Sequence, residues 1–279
     1  MATCYRHPNR ETGVSCSNCG RPICPDCMTP TSVGMRCPEC AKQKTKTRSA
    51  AAIRAGYGDE PRVTIMLIVA CVVLFLAEGG GLGLQTSGTG WIYQNFALQG
   101  ITTIHNGHDY WRLVTYAFLH AGIIHIALNM YILWLVGQQL EPAMGPRRYL
   151  TVYFTAIVAG AFGALLQTST EVVVGASGAI FGLMGALAAE QYRRGYQPFS
   201  GGLGALIGIN LLIGFIPSFN IAWGGHIGGL VGGFVAGLAY HYADRMRQPW
   251  LGYVACLAIV VLSVIGSIAV SGNVHNHTL

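Results

Sequence analysis

The chain has 279 residues, of which 52% are hydrophobic and only 10% charged, with a net charge of +6. A soluble globular protein carries about 25% charged residues, so this composition excludes an ordinary soluble enzyme. The positive charge is gathered in an N-terminal stretch and in short loops, which points to membrane topology rather than to a nucleic-acid-binding face.

Residues 1–41 form a cysteine-rich module. Four pairs appear in order: Cys4/His7, Cys16/Cys19, Cys24/Cys27 and Cys37/Cys40. Two intervening residues let both members of a pair grip one ion from a tight turn. Eight thiolate and imidazole donors make two tetrahedral sites, a donor set that suits zinc. A disulfide framework is the competing reading, and it fits poorly with an end expected to face the reducing cytoplasm. So short a segment cannot build a sufficient apolar core, so metal is expected to supply folding energy. The spacing accommodates either sequential or interleaved pairing. It resembles a B-box-type zinc finger with Cys-x-x-Cys in place of the final histidines. That resemblance implies interleaving, with Cys4, His7, Cys24 and Cys27 on one ion and Cys16, Cys19, Cys37 and Cys40 on the other.

The first fifty residues are polar and lack a signal-peptide pattern, so none is expected. Cys71 and Cys256 stand alone in apolar runs and read as inert buried thiols. Residues 42–62 carry Lys42, Lys44, Lys46, Arg48, Arg54 and Arg62 and read as a basic linker.

From Val63 onward the chain is a series of apolar runs, several near the roughly 20 residues that span a bilayer. Helices are expected at about 63–83, 117–140, 148–168, 177–193, 202–217, 224–243 and 250–271. Arginines follow the second, fourth and sixth of these, as Arg147–Arg148, Arg193–Arg194 and Arg245 with Arg247. The loops after the third and fifth have none. This alternation places the N-terminus in the cytoplasm and the C-terminus outside. The long outer loop, 84–116, holds Trp91, Tyr93, Phe96, Tyr110 and Trp111, rings suited to the headgroup region.

The chemistry-bearing residues cluster toward the outer side. Ser177, in Gly175-Ala176-Ser177-Gly178, opens the fourth helix. His226, in Gly224-Gly225-His226-Ile227-Gly228-Gly229, lies in the first turns of the sixth. Gly178, Gly182 and Ala186 on one helix, and Gly225, Gly229, Gly233 and Gly237 on the other, recur every four residues. Small residues at that spacing let membrane helices pack closely. Close packing brings a serine nucleophile within hydrogen-bond reach of its base. His120, His125 and Asn129 are expected on the second helix, with His125 and Asn129 one turn apart on one face. Neutral donors there can stabilise an oxyanion, with the Ser177 backbone N–H adding to them.

Taken together, residues 63–243 resemble the rhomboid family of intramembrane serine proteases. The resemblance rests on Trp111-Arg112, His120…His125…Asn129, Gly137…Glu141…Gly145, Gly175-Ala176-Ser177-Gly178, and His226 with Gly229 and Gly233. It implies an all-α polytopic membrane protein: a six-helix core, here with a seventh helix within 244–279 and a small zinc-bound N-terminal domain. It implies a dyad without an acidic third member, Ser177 as nucleophile and His226 as general base and acid. His125 and Asn129 would line the oxyanion hole and His120 would be structural. Arg112 would hold the interfacial loop, and Glu141 would anchor the inner loop near the second helix. Phe181 departs from the hydroxyl-bearing aromatic often found there; stacking on the base survives, a hydrogen bond does not. The implied substrates are transmembrane segments with small residues at the scissile position, cut in the outer half of a bacterial plasma membrane. A cytoplasmic partner of the zinc domain is expected and nucleic acid is not. Two rivals are a catalytically inactive rhomboid-like protein that binds or traffics transmembrane clients, and a channel or transporter. Retention of Ser177 and His226 argues against the first. Polar groups gathered on one side, rather than through the whole depth, argue against the second.

Overall fold

The computed structural model describes residues 2–31, 34–42, 60–79, 90–197, 202–214 and 222–272. Most of the expected basic linker lies outside the described residues. The chain divides into two compact units, Met1–Gly56 and Tyr57–Leu279.

In the first unit, β1 (Ala2–Thr3) pairs antiparallel with β2 (Glu11–Thr12), and β3 (Thr29–Thr31) with β4 (Gly34–Arg36). A short helix, Pro38–Lys42, closes the described part. The buried cluster consists of Cys4, Cys16, Ile23, Cys24, Cys27, Cys37 and Cys40, with Tyr5 and Met28 packed against it. Six of its seven members are cysteines, so this fold is centred on sulfur rather than on an aliphatic core.

The second unit is helical. Its long helices are α1 (Arg62–Ala77), α2 (Ile123–Met144), α3 (Pro146–Gln167), α4 (Ser177–Arg193), α5 (Gly202–Gly214), α6 (Trp223–Arg245) and α7 (Trp250–Ser271). Among the described residues, α2, α3 and α7 are long and apolar enough to cross a membrane by composition alone. Helix α6, with 23 residues, is rich in glycine, which lowers its mean hydropathy. With 17 residues, α4 is about 25 Å long at 1.5 Å per residue, just short of a bilayer core.

Two boundaries differ from the sequence expectation. The first helix stops at Ala77 rather than continuing to 83, because Gly79 turns the chain at φ +75° and its N–H closes on Leu76. The second begins at Ile123, not 117. Residues 116–118 form one tight helical turn, after which Leu119 is extended, and the chain restarts as a helix only past Gly122. His120 therefore precedes α2 instead of lying on it. The loop expected over 84–116 is largely helical where described, with short helices at Trp91–Phe96 and Arg112–Thr115 and a wide π-type turn at Gly100–Asn106.

Glycine sets the packing. On one side of α6, a methyl group at Gly229 would strike the carbonyl oxygen of Gly178, and one at Gly233 that of Gly182. On another side, Gly228 faces the Ala159 carbonyl and Gly224 that of Gly163. So α6 is seated against α4 and α3 at backbone contact. The first stripe is the one expected from sequence; the second is offset from it by one residue and answers to α3. The seventh helix packs on α3 and α6. Gly252 at its start lies against the Tyr240 ring, and Gly272 past its end lies against His105. It therefore runs the full height of the bundle.

The two ends of the bundle differ in charge. At one end Arg148 forms a bidentate pair with Asp244 at 2.8 Å, and Glu190 pairs with Arg193 and Arg194. Glu141 sits there too. It accepts hydrogen bonds from the N–H groups of Val63 and Thr64, both at 2.9 Å, and from the Thr64 hydroxyl at 2.8 Å. It thus caps the first turn of α1, which has no cap of its own, rather than fastening an inner loop. The other end carries Ser177, His226 and the structured outer segment.

Candidate active site

The stretch leading to Ser177 is fixed by the outer segment. Leu98 and Val173 exchange backbone hydrogen bonds at 3.2 and 2.8 Å, Ile101 N–H donates to Ser169, and Gly175 N–H donates to the Tyr116 carbonyl at 3.0 Å. Gly175 has φ +125°, and a side chain there would meet the His125 ring at 2.8 Å. Only glycine satisfies both demands. Ser177 then starts α4 as a half-buried residue.

The outer segment is itself pinned by Arg112. Its guanidinium is buried, donates to the carbonyls of Gln94 at 2.7 Å and Ala97 at 3.0 Å, and pairs with Asp109 at 2.9 Å. A cation at this end is thereby neutralised and used to tie the 94–97 backbone to the turn at 109–112.

The sequence-derived site residues converge. His226 Nε2 lies 2.9 Å from Ser177 Oγ. The imidazole is buried and stacks on Phe181, with ring centroids 4.4 Å apart and planes 15° apart. Its Nδ1 is buried with no hydrogen-bond partner among the described residues. Among the described residues no carboxylate orients the ring, which leaves a serine–histidine pair rather than a triad. The His125 ring flanks Gly175, near Ser177, and its Nδ1 accepts from the Ala121 N–H at 3.4 Å. Asn129 is buried, and its amide donates to the His125 carbonyl at 2.9 Å, leaving one further N–H. His120 is fully buried, edge-on to His125 at 5.2 Å, with both ring nitrogens unpartnered among the described residues.

One contact was not singled out in the sequence. Gln167 Oε1, at the end of α3, accepts the Gly224 N–H at 2.7 Å in the first turn of α6. Its only sequence signal is a lone amide closing the apolar end of α3.

In the N-terminal unit, two donor sets form. Cys4, His7, Cys24 and Cys27 make one, and Cys16, Cys19, Cys37 and Cys40 the other, with the donor atoms of each within 4.8 Å of one another. The pairs are interleaved, the arrangement that the resemblance to a B-box implies and one of the two that the spacing leaves open. His7 Nδ1 lies 3.3 Å from Cys24 Sγ and 3.5 Å from Cys27 Sγ. The Cys37 N–H lies 3.3 Å from Cys16 Sγ and holds that thiol below its ordinary range, which favours the thiolate. Either set could hold a metal ion, and four sulfur or mixed sulfur–nitrogen donors fit zinc.

A bundle of apolar helices with a serine and a histidine in contact at one end marks a polytopic membrane protein. Residues 107–243 match the Rhomboid domain, and the chain belongs to the rhomboid family. It is 34% identical over 204 residues to Rhomboid protease GluP of Bacillus subtilis (strain 168), covering 71% of this chain and 38% of that protein. RHOMBOID-like protein 6, mitochondrial, of Arabidopsis thaliana is 39% identical over 131 residues, 44% of this chain and 41% of that one. Inactive RHOMBOID-like protein 8 of the same plant is 30% identical over 148 residues, 50% of this chain and 41% of that one. The matched part of the chain thus spans about two fifths of the length of these relatives.

Proposed function

We propose that the chain is an intramembrane serine endopeptidase that cleaves transmembrane segments of other membrane proteins. The 2.9 Å approach of His226 Nε2 to Ser177 Oγ carries this reading. With Nε2 unprotonated, His226 takes the hydroxyl proton as Oγ attacks the scissile carbonyl carbon. The oxyanion is met by the Ser177 N–H at the start of α4, by His125, and by the free N–H of Asn129. His226 then protonates the departing amine, and a water deprotonated by the same ring releases the acyl chain. Ser177 is only half-buried, at the end of the bundle from which that water would enter. His120 supports the His125 ring and takes no part in proton transfer.

The arginine-rich end faces the cytoplasm of a bacterial plasma membrane in this reading, and the Ser177 end faces outward. Two structural zinc ions fold the N-terminal unit, held by Cys4, His7, Cys24 and Cys27 and by Cys16, Cys19, Cys37 and Cys40. They supply stability and a surface for a cytoplasmic partner, and no chemistry at Ser177.

Similarity to an inactive relative favours one rival, a membrane protein that binds transmembrane clients without cutting them. Incubating purified protein with a reporter transmembrane segment in detergent separates the two. Cleavage by the wild type and none by Ser177→Ala is expected; cleavage by both, or by neither, overturns the protease reading.

A further inference from the structure

A serine–histidine pair without an acid must orient its base by other means. Nδ1 of His226 has no hydrogen-bond partner among the described residues, so nothing on that side of the ring fixes it. Phe181 restrains the tilt of the ring but not its position along or around α6. That position is set by the backbone of the first turn. The first turn reads Trp223-Gly224-Gly225-His226, and glycines are the most freely deformed residues in a helix.

The start of α6 has no side-chain cap of its own. Its N-cap position is Ala222, whose side chain has no acceptor; its carbonyl takes the Gly225 N–H at 2.9 Å and leaves the Gly224 N–H to be met elsewhere. The early N–H groups of a helix need external acceptors, most of all away from water. The Gly224 N–H finds one in Gln167 Oε1 at 2.7 Å, reaching across from the last residue of α3. The neighbouring contact is equally close, since Gly163 and Gly224 meet at backbone distance. The acceptor thus fixes the backbone two residues before the base.

We propose that Gln167 is a positioning residue for His226, orienting the base through the Gly224 backbone in place of a carboxylate on the ring. The inference rests on the protease reading above. It concerns how the imidazole is held, not whether it acts. A misplacement of about 1 Å remote from the reacting atoms can cost about 100-fold in rate, so loss of this one acceptor should register in turnover.

The test compares Gln167→Leu, which keeps size without an acceptor, with Gln167→Glu, which restores an acceptor oxygen. Both are assayed as full-length protein in detergent on a reporter transmembrane segment, with thermal unfolding followed in parallel. Gln167→Leu should lower kcat by about 10–100-fold with KM unchanged, and Gln167→Glu should recover most of it. The rate at which a fluorophosphonate labels Ser177 should fall and recover in step. Wild-type kcat in Gln167→Leu, a rise in KM alone, or no recovery in Gln167→Glu overturns the proposal. So does a loss of activity that only tracks a lower unfolding midpoint. A wild type that neither cleaves nor labels would instead count against the protease reading itself.

Discussion

Phe181 and His226 lie ring on ring, 4.4 Å between centroids and 15° from parallel, one helical turn after Ser177. The phenyl face covers the imidazole from the α4 side, so a hydroxyl on that ring is not needed for stacking. Such an aromatic contact is worth about 0.5–1.5 kcal/mol beyond its buried area. Phe181→Leu should therefore lower kcat by about two- to tenfold, whereas Phe181→Tyr should keep wild-type turnover. Steady-state cleavage of a reporter segment checks both; equal activity in all three proteins would show that stacking does not hold the base.

Ser177 and His226 should behave as one unit. Ser177→Ala and His226→Ala should each be nearly inactive, and the double variant no worse, because the losses of cooperating groups do not add. Asn129→Ala should be milder. One oxyanion donor is worth about 2.7–4 kcal/mol in soluble enzymes, and Asn129 already gives one N–H to the His125 carbonyl. Unchanged turnover in Asn129→Ala, in His125→Ala and in their double would remove the oxyanion role.

The packing of α6 on α4 should not tolerate a single added methyl. Gly233→Ala would drive Cβ into the Gly182 carbonyl, whereas Gly208 on α5 has open space around it. Overpacking costs about 1–3 kcal/mol, so Gly233→Ala should unfold earlier in detergent and lose activity. Gly208→Ala should match wild type. Equal unfolding midpoints would mean that the helices separate at little cost.

The N-terminal unit should bind two zinc ions and be dispensable for cleavage. Both donor sets are complete within Cys4–Cys40, and every proposed catalytic residue lies in Tyr57–Leu279. Residues 1–45 should take up two equivalents of zinc and unfold with a chelator. A chain beginning near Arg54 should still cut a generic substrate. Fewer than two ions breaks the eight-donor reading, and a folded but inactive truncation ties the unit to the catalytic machinery.

The termini should lie on opposite sides of the membrane. A reporter after Leu279 should register outside and one before Met1 inside, since α7 runs the full height of the bundle. Detection of both on one side would remove one span from the count.

Much of the bundle was legible because its signals are one-dimensional. Apolar runs mark helices whatever their neighbours, and the glycines at 225, 229 and 233 advertise a close contact before its partner is known. What could not be read depends on the third dimension. Ala117-Phe118-Leu119 continues an apolar run, so hydropathy carries the second helix back to 117, while the backbone breaks at Leu119 and restarts at Ile123. The rhomboid resemblance makes Glu141 an inner-loop anchor. Its partners, Val63 and Thr64, are far away in sequence and donate mainly through backbone, which leaves no residue pattern. Gln167 escaped notice for the same reason, because its partner is a glycine N–H. The Ser177–His226 pair was readable because each residue sits in a glycine-rich neighbourhood that an apolar helix would not otherwise need.

The seating of α6 between α3 and α4 has a bearing on biogenesis. Serine and histidine arrive on different helices, some fifty residues apart, and neither helix alone brings them together. In lipid, helices can form before they associate, so a freshly inserted chain can hold every span and still have no base beside its nucleophile. On the protease reading, hydrolytic competence then appears only when the last glycine contact closes. A half-assembled molecule would sit harmlessly among the membrane proteins made beside it.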